Sequence, residues 1–480
     1  MNDLLVYNVL KEAAQKWPNL PAVYDEFGML TFHELYTETE ALKHQLIQLG
    51  ITKGMGVGMM AKNSRNFISG IFAVIGCGAT VMPMSHQLKN AEINDILEEA
   101  QLHAILDDRS GTQPIENADT NIPMNIDSFR FAFSSTDKSR PFASHVTNPA
   151  FIRFTSGTTG KSKGVIISHQ SAIERIDAAN KALELGTNDV VVWVLPMAYH
   201  FVVSILLYIR FGTAIAIAKD FLSNNIIDIT NERGGTLLYA SPMQIRLLSS
   251  NTDDVKMPTL KKVISTSAVI SVDICKAFKH RFGIDVSQAY GIIEIGLPMI
   301  NFVKSAEHPD AVGYALPDYQ IEILDEDNNP LSNGKIGHLA IKGPGMFDAY
   351  LTPPRLRKDV LKNDYFLTAD YASKSEDGLV KVAGREKSMI NVSGNKVFPE
   401  EVEKVLETIE EIKLARISGT PHPLMGQIIQ AELVLNTGAT IDVEEILTYC
   451  RKRLSTYKIP QRVTIVESLP ITGSGKLQRY

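Results

Sequence analysis

The segment Thr155-Ser-Gly-Thr-Thr-Gly-Lys-Ser-Lys-Gly164 constrains this chain more than any other. Phe151–Phe154 before it reads as a strand, and Val165–Ile167 after it reads as a second strand. Between them lie glycines, hydroxyl side chains and two lysines. Glycines let backbone N–H groups turn inward on an anion, hydroxyls add donors, and a lysine supplies a point charge. A loop of this composition held between strands reads as a phosphate cradle. It is not a Walker A loop. Gly160-Lys161-Ser162 fits the end of that motif, but Thr155 stands where its opening glycine belongs, and the chain runs on into a strand instead of a helix. The plainer alternative is a flexible surface loop, against which the density of phosphate-binding groups speaks.

Around this loop, helix and strand signals alternate for most of the length, which implies parallel sheets with crossover helices. Thr31-Phe-His-Glu34 is a capping box, followed by Leu35, Leu42, Leu46 and Leu49 at helical spacing and by Gly50 as a stop. Val190–Leu195 is a continuous apolar run that suits a strand covered on both faces. Asp107–Asn148 is polar and is expected to be a long surface connection. Ile321–Lys342 reads as antiparallel hairpins, and Asp377-Gly378 as another hairpin turn. After Gly384 the pattern becomes a small αββαβ unit. Its helix is Glu400–Ile409, its first two strands are Lys413–Ser418 and Ile428–Leu435, and a helix near Val443–Leu454 and a strand at Arg462–Val466 complete it.

Bulk properties narrow the function classes. A net charge of -6 gives no reason to expect nucleic acid. Cys77, Cys275 and Cys450 are far apart and form no CxxC pair, so a zinc site or a disulfide framework is not expected and a reducing cytoplasm is the simplest location. The first residues read as a helix, not a signal peptide. Phe67–Met84 and Phe201–Ala218 mimic membrane spans, but glycines interrupt the first, and Arg210 and Gly212 the second. A buried helix running into a buried strand is expected for both, with no membrane span.

With the phosphate loop, four further segments carry a resemblance: Leu195-Pro-Met-Ala-Tyr-His-Phe201, Gln288-Ala-Tyr-Gly-Ile-Ile-Glu294, Tyr365-Phe-Leu-Thr-Ala-Asp370 with Gly384–Glu400, and Leu469–Arg479. In this order, over nearly the whole chain, they resemble the motifs of the adenylate-forming superfamily, which includes acyl- and aryl-CoA synthetases, peptide-synthetase adenylation domains and firefly luciferase. The chain departs from the usual pattern at Ser162 (commonly Pro), Ile293 (commonly Thr) and Ala369 (commonly Gly).

The resemblance implies an α/β fold: a large N-terminal domain of several subdomains, with mostly parallel sheets plus a distorted barrel, and a small mobile α+β C-terminal domain. The domains would be residues 1–386 and 387–480, with the hinge at Lys387. It implies that Thr155, Ser156, Gly157, Thr158, Thr159, Gly160 and Lys163 hold the ATP phosphates, with Gln288, Tyr290 and Gly291 at the adenine. Asp370 and Arg385 would meet the ribose or phosphate, and Gly394 would line the thiol tunnel. Glu294 would hold Mg²⁺, as a hard oxygen ligand suits. Lys476 would bridge the carboxylate and the α-phosphate, and His200 would stand between the acyl and nucleotide pockets.

Phe201, Val202, Ser267, Gly291, Ile292 and Ile295 are the expected acid-binding residues. No carboxylate lies near His200 to hold an α-ammonium, so an apolar acid, aryl or medium-chain acyl, is expected. No carrier domain follows Lys476, so the thiol is expected in trans, from coenzyme A or from a phosphopantetheinyl carrier protein. A non-catalytic binding protein on the same fold is the alternative of another class. Lys163, Glu294, Asp370 and Lys476, all retained, argue against it. For a luciferase-type, oxygen-using enzyme no residue discriminates.

Overall fold

The computed structural model describes residues 5–110, 120–126, 128–155, 163–392, 395–422, 426–470 and 477. Among them the strands form two nine-stranded sheets, a four-stranded sheet and a five-stranded sheet.

The first large sheet is parallel through Ala214–Ile217, Val190–Trp193, Leu237–Ala240, Lys262–Ser265 and Val286–Ile292. The second is parallel through Ala104–Asp107, Gly56–Ala61, Thr80–Ser85 and Pro149–Thr155. Gly56–Ala61 and Thr80–Ser85 are buried throughout, as strands covered on both faces must be. The helix Arg65–Gly76 lies between them in sequence and is buried from Arg65 to Ile75. Its Ser64 cap accepts a hydrogen bond from Phe67 N, and its one charge, Arg65, is clasped by Asp25. Ile205–Arg210 and Ala214–Ile217 likewise form a buried helix and a buried strand. Among the described residues no helix is long and apolar enough to cross a membrane.

Asp107–Asn148 differs from the expected surface connection. Thr120–Pro123 and Ser128–Phe133 are strands that extend the second large sheet past Ala104–Asp107. Phe129 and Phe131 are buried there, and Phe142 closes over Gly56. The alternation Ser-Phe-Arg-Phe-Ala-Phe is a half-buried strand pattern, masked by the polar residues around it.

Gln320–Leu324, Gly337–Lys342, Phe366–Lys374 and Val380–Arg385 form an antiparallel sheet in the region of the expected barrel. The last unit has the expected helices Pro399–Leu406 and Val443–Arg451, with strands Ile412–His422, Gly426–Leu435 and Arg462–Ile465. An unexpected hairpin, Ile390–Val392 with Asn395–Val397, completes its sheet. This unit has its own apolar core, including Ile390, Val402, Leu406, Ile417, Ile429 and Ile446. It meets the preceding part through polar and aromatic contacts: Lys404 reaches Asp310, Arg246 donates to Lys413 O at 2.8 Å, and Phe398 packs on Tyr371 with ring centroids 5.3 Å apart.

Candidate active site

The strand Val286–Ile292 ends in a bulge between Tyr290 and Ile292, where it pairs with Gly296–Ile300. A Cβ on Gly291 would stand 2.7 Å from Gly296 O, so only glycine lets the strands approach this closely. Tyr290 is buried, and its hydroxyl donates to Asp370 Oδ2 at 2.5 Å. Arg385 Nε donates to Asp370 Oδ1 at 3.1 Å. Asp370 and Arg385 are direct partners across the antiparallel pair Phe366–Lys374 and Val380–Arg385, so sheet register alone brings them together. Burial pushes the Tyr290 hydroxyl well above its ordinary pKa, and the Asp370 charge adds to this, so it stays a donor.

Ala369, just before Asp370, has φ +59°, in the left-handed region that favours glycine. That is the physical sense of the glycine common at this place in the resembling pattern. Gln288, also expected at the nucleotide, is buried. Its Nε2 donates to Pro309 O at 2.9 Å and its Oε1 accepts from Ile270 N at 3.2 Å, so its amide ties the strand to neighbouring loops.

Glu294 is half-buried beyond the bulge. Burial raises its carboxyl pKa, and the Tyr350 hydroxyl, donating to Oε1 at 3.3 Å, and the nearby Arg153 charge work against that rise. Lys163 Nζ stands 5.1 Å from the centroid of the Tyr350 ring, so Lys163, Tyr350 and Glu294 form a row. Tyr350 gets there because Ala349–Tyr350 pairs with the strand Lys163–Ser168. Fully buried Arg175 fixes the Glu294 loop: its Nε donates to Gly345 O and its Nη1 to Ile293 O, each at 2.9 Å. Burial lowers the Arg175 pKa to about 10, which leaves it a cation.

The sequence reading missed Arg175 and Tyr350. Arg175 carried a signal, since it shares the buried helix face of Ala172, Ile176 and Ala179. Tyr350 carried none. Ser156, Gly157, Thr158, Thr159, Gly160, Gly394, Lys476 and the side chain of Thr155 lie outside the described residues.

Beside this corner is a narrow cavity lined by Pro83, Phe151, Arg153, Tyr199, Phe201, Val202 and Ile293, among others. Phe201 is buried against Phe67, Phe72 and Phe151, with ring centroids 5.9–6.1 Å apart. His200 packs edge-on to Trp193 at 5.7 Å, and Trp193 stacks on Tyr239 at 5.8 Å. Phe201 and Val202 line the cavity together with Ile293 and Arg153. Ile292 packs against the core, and Ile295 is fully buried away from the cavity lining. Ser267 follows the strand Lys262–Ser265 with φ +74°, a strained conformation for a non-glycine residue. Exposed Lys387 sits in the short turn Glu386–Ser388, between Val380–Arg385 and Ile390–Val392.

Known proteins share this layout. The profile described as AMP-binding enzyme matches residues 10–351, and that described as AMP-binding enzyme C-terminal domain matches residues 401–476. The chain is 25% identical to a long-chain-fatty-acid–CoA ligase of Yersinia pestis, with 98% of this chain and 92% of that protein covered. It is 26% identical to the fatty acid–[acyl-carrier-protein] ligase ScoC of Streptomyces coeruleorubidus, over 97% of this chain and 93% of that one. Its fold matches the crystal structure of ATP-bound MatB from Rhodopseudomonas palustris with a TM-score of 0.84 at 21% identity, covering 98% and 97% of the two chains.

Proposed function

This chain belongs to the AMP-binding enzyme family, and from that premise we propose that it joins an acid with an apolar body, aryl or medium-chain acyl, to the thiol of coenzyme A. The observation that carries the proposal is the adjacency of Ile293 and Glu294. Ile293 is in the cavity wall, and Glu294 is in the row with Tyr350 and Lys163. As they stand these walls leave room for about one water, so an acid would enter by parting them, and one seated beside Ile293 would present its carboxylate where ATP phosphates would lie.

In the first half-reaction a carboxylate oxygen attacks the α-phosphorus of ATP and pyrophosphate leaves. Charge builds on phosphate oxygens, so the protein acts by placement and electrostatics. Lys163 and the loop Thr155–Gly160 are the proposed phosphate ligands, Tyr290, Gly291 and Asp370 the nucleoside contacts, and Lys476 the cation at the new bond. In the second half-reaction a thiol sulfur attacks the acyl carbon and AMP leaves. For this the unit 387–480 would turn about Lys387 and bring Gly394 to the thiol, which the separate core of that unit supports.

Mg²⁺ fits the residues present. Among the described residues no cluster of three or more His, Cys, Asp or Glu side chains is found, so an all-protein cage is not on offer. One carboxylate, Glu294, stands by the proposed phosphate site, and Mg²⁺ typically takes one or two carboxylates with substrate phosphates. When bound, the ion would neutralise charge developing on the phosphates.

A carrier protein is the second reading for the acceptor, favoured by the similarity to ScoC. A reducing cytoplasm is the proposed location, which the buried free thiols of Cys275 and Cys450 support. The test is pyrophosphate release against a panel of carboxylic acids, with and without coenzyme A. Acid-dependent release, with sustained turnover only when coenzyme A is present, is expected. No release with any acid would end the ligase reading; turnover only with a phosphopantetheinyl carrier would move the acceptor to the second reading.

A further inference from the structure

Arg153 is a cation built into the wall of an otherwise largely apolar cavity. Alternation along the strand Pro149–Thr155 places Phe151 and Arg153 on one face. The Phe151 ring packs on Phe201, and Phe151, Ile152 and Arg153 all border the cavity. The guanidinium lies 4.8 Å from the Tyr199 ring centroid, and its Nη1 donates to Tyr199 O. Its Nε is buried and has no hydrogen-bond partner. Among the described residues Arg153 forms no ion pair, although the Glu294 charge is near enough to favour its protonated form. Burial lowers its pKa to about 10, so it remains charged at neutral pH.

A half-buried cation whose Nε is shut off from water with no partner is costly, and it is kept at a site where something else completes it. Glu294 is near enough to favour the Arg153 charge, but among the described residues it forms no hydrogen bond or ion pair with Arg153 and accepts from Tyr350 instead. The rest of the lining named above is apolar except for Tyr199, and in such a medium an anion beside a guanidinium is held far more strongly than in water. A carboxylate also matches the planar fork of the guanidinium.

We propose that Arg153 binds a second anionic group of the acid substrate, so that the enzyme selects acids bearing a small anion, such as a carboxylate, besides the carboxylate it activates. This rests on the ligase reading above and narrows it: the acid carries a second anion besides the carboxylate that is activated.

The test uses the full chain and matched pairs of acids on one skeleton, such as benzoate with the benzenedicarboxylates and hexanoate with hexanedioate. Pyrophosphate release gives kcat/KM for each. The wild type is expected to prefer at least one diacid over its monoacid by about tenfold or more, as fits one charge-assisted hydrogen bond. Arg153→Met is expected to erase that preference, chiefly through KM for the diacid, and Arg153→Lys to keep part of it. Preference for the monoacid in every wild-type pair would overturn the proposal without any variant. Equal loss on monoacids and diacids in Arg153→Met would also overturn it, because Arg153 would then serve machinery common to all acids. No release with any acid would remove the ligase reading itself, and the Arg153 assignment with it.

Discussion

The carboxylate corner and the acyl wall meet at two consecutive residues, Glu294 and Ile293, yet they are stabilised in opposite ways. In the corner, each named charge already has a partner: Asp370 holds both Tyr290 and Arg385, and Glu294 accepts from Tyr350. In the wall, aromatic rings do the packing, and the one cation, Arg153, keeps an unpartnered Nε. The corner is thus pre-organised by the protein, and a nucleotide binding there as proposed would exchange hydrogen bonds with it. The wall is left for the ligand to complete. Pre-organisation lowers the cost of ordering a site, whereas an incomplete site discriminates between ligands by penalising those that leave it unpaired.

Freezing the hinge gives the largest expected effect and asks whether both regions serve the same half-reaction. Lys387 is the middle residue of a short helical turn, where proline's fixed φ is tolerated. Lys387→Pro should leave a pyrophosphate burst about equal to the enzyme concentration and an unchanged ranking of acids, while thioester turnover stalls. Full multiple-turnover thioester synthesis would place the pivot elsewhere.

Glu294→Gln comes next. Losing one charge-stabilising group should slow adenylation roughly 10²–10³-fold. Burial holds the Glu294 carboxyl above the ordinary range, and a proton there removes its charge. Adenylation by the wild type should therefore fall as pH drops through that raised value, giving an acid limb. A pH profile of the burst checks this, and the Gln variant should lack the limb.

Asp370→Ala attacks the paired arrangement directly. It strips the Tyr290 hydroxyl of its acceptor inside the protein, at a stability cost of about 1–3 kcal/mol. KM for ATP should rise about tenfold or more, with the acid ranking retained. Denaturant titration and ATP kinetics read the two effects, and an altered acid ranking would break the separation between corner and wall. The smallest effect is expected from Ala369→Gly. It relieves about 1–2 kcal/mol of left-handed strain but adds glycine's cost of about 0.5–1 kcal/mol, for a gain of about 0–1.5 kcal/mol in denaturant midpoint experiments.

The two regions also differed in how readable they were. Tyr290, Asp370 and Arg385 stand on strands in short motifs, with Glu294 in the turn just after one, so their gathering needed only the register of neighbouring strands. Tyr350 reaches Glu294 through a two-residue strand that no periodicity marks. Arg153 was readable as a strand residue but not as a wall residue. Ile152 and Phe151 on opposite faces are both fully buried, in different cores, so alternation could not say which face looks into a cavity. The strands at 120–133 were hidden for a different reason, because short apolar runs among polar residues resemble a loop until a neighbouring strand pairs with them.

One feature of the fold reaches further than its place suggests. Thr155 and Lys163 are direct partners at the end of an antiparallel pair that runs back to Pro149 and Ser168. Both ends of the glycine-rich segment are thereby pinned about 5 Å apart. Closing a free chain of this kind carries an entropic penalty that any ligand gathering it would have to overcome. Here the ladder between the two strands bears that penalty in advance. If the segment binds ATP phosphates as proposed, their affinity is linked to residues away from the loop: loosening Ile152 or Ile166, deep in the hairpin, would weaken nucleotide binding from a distance.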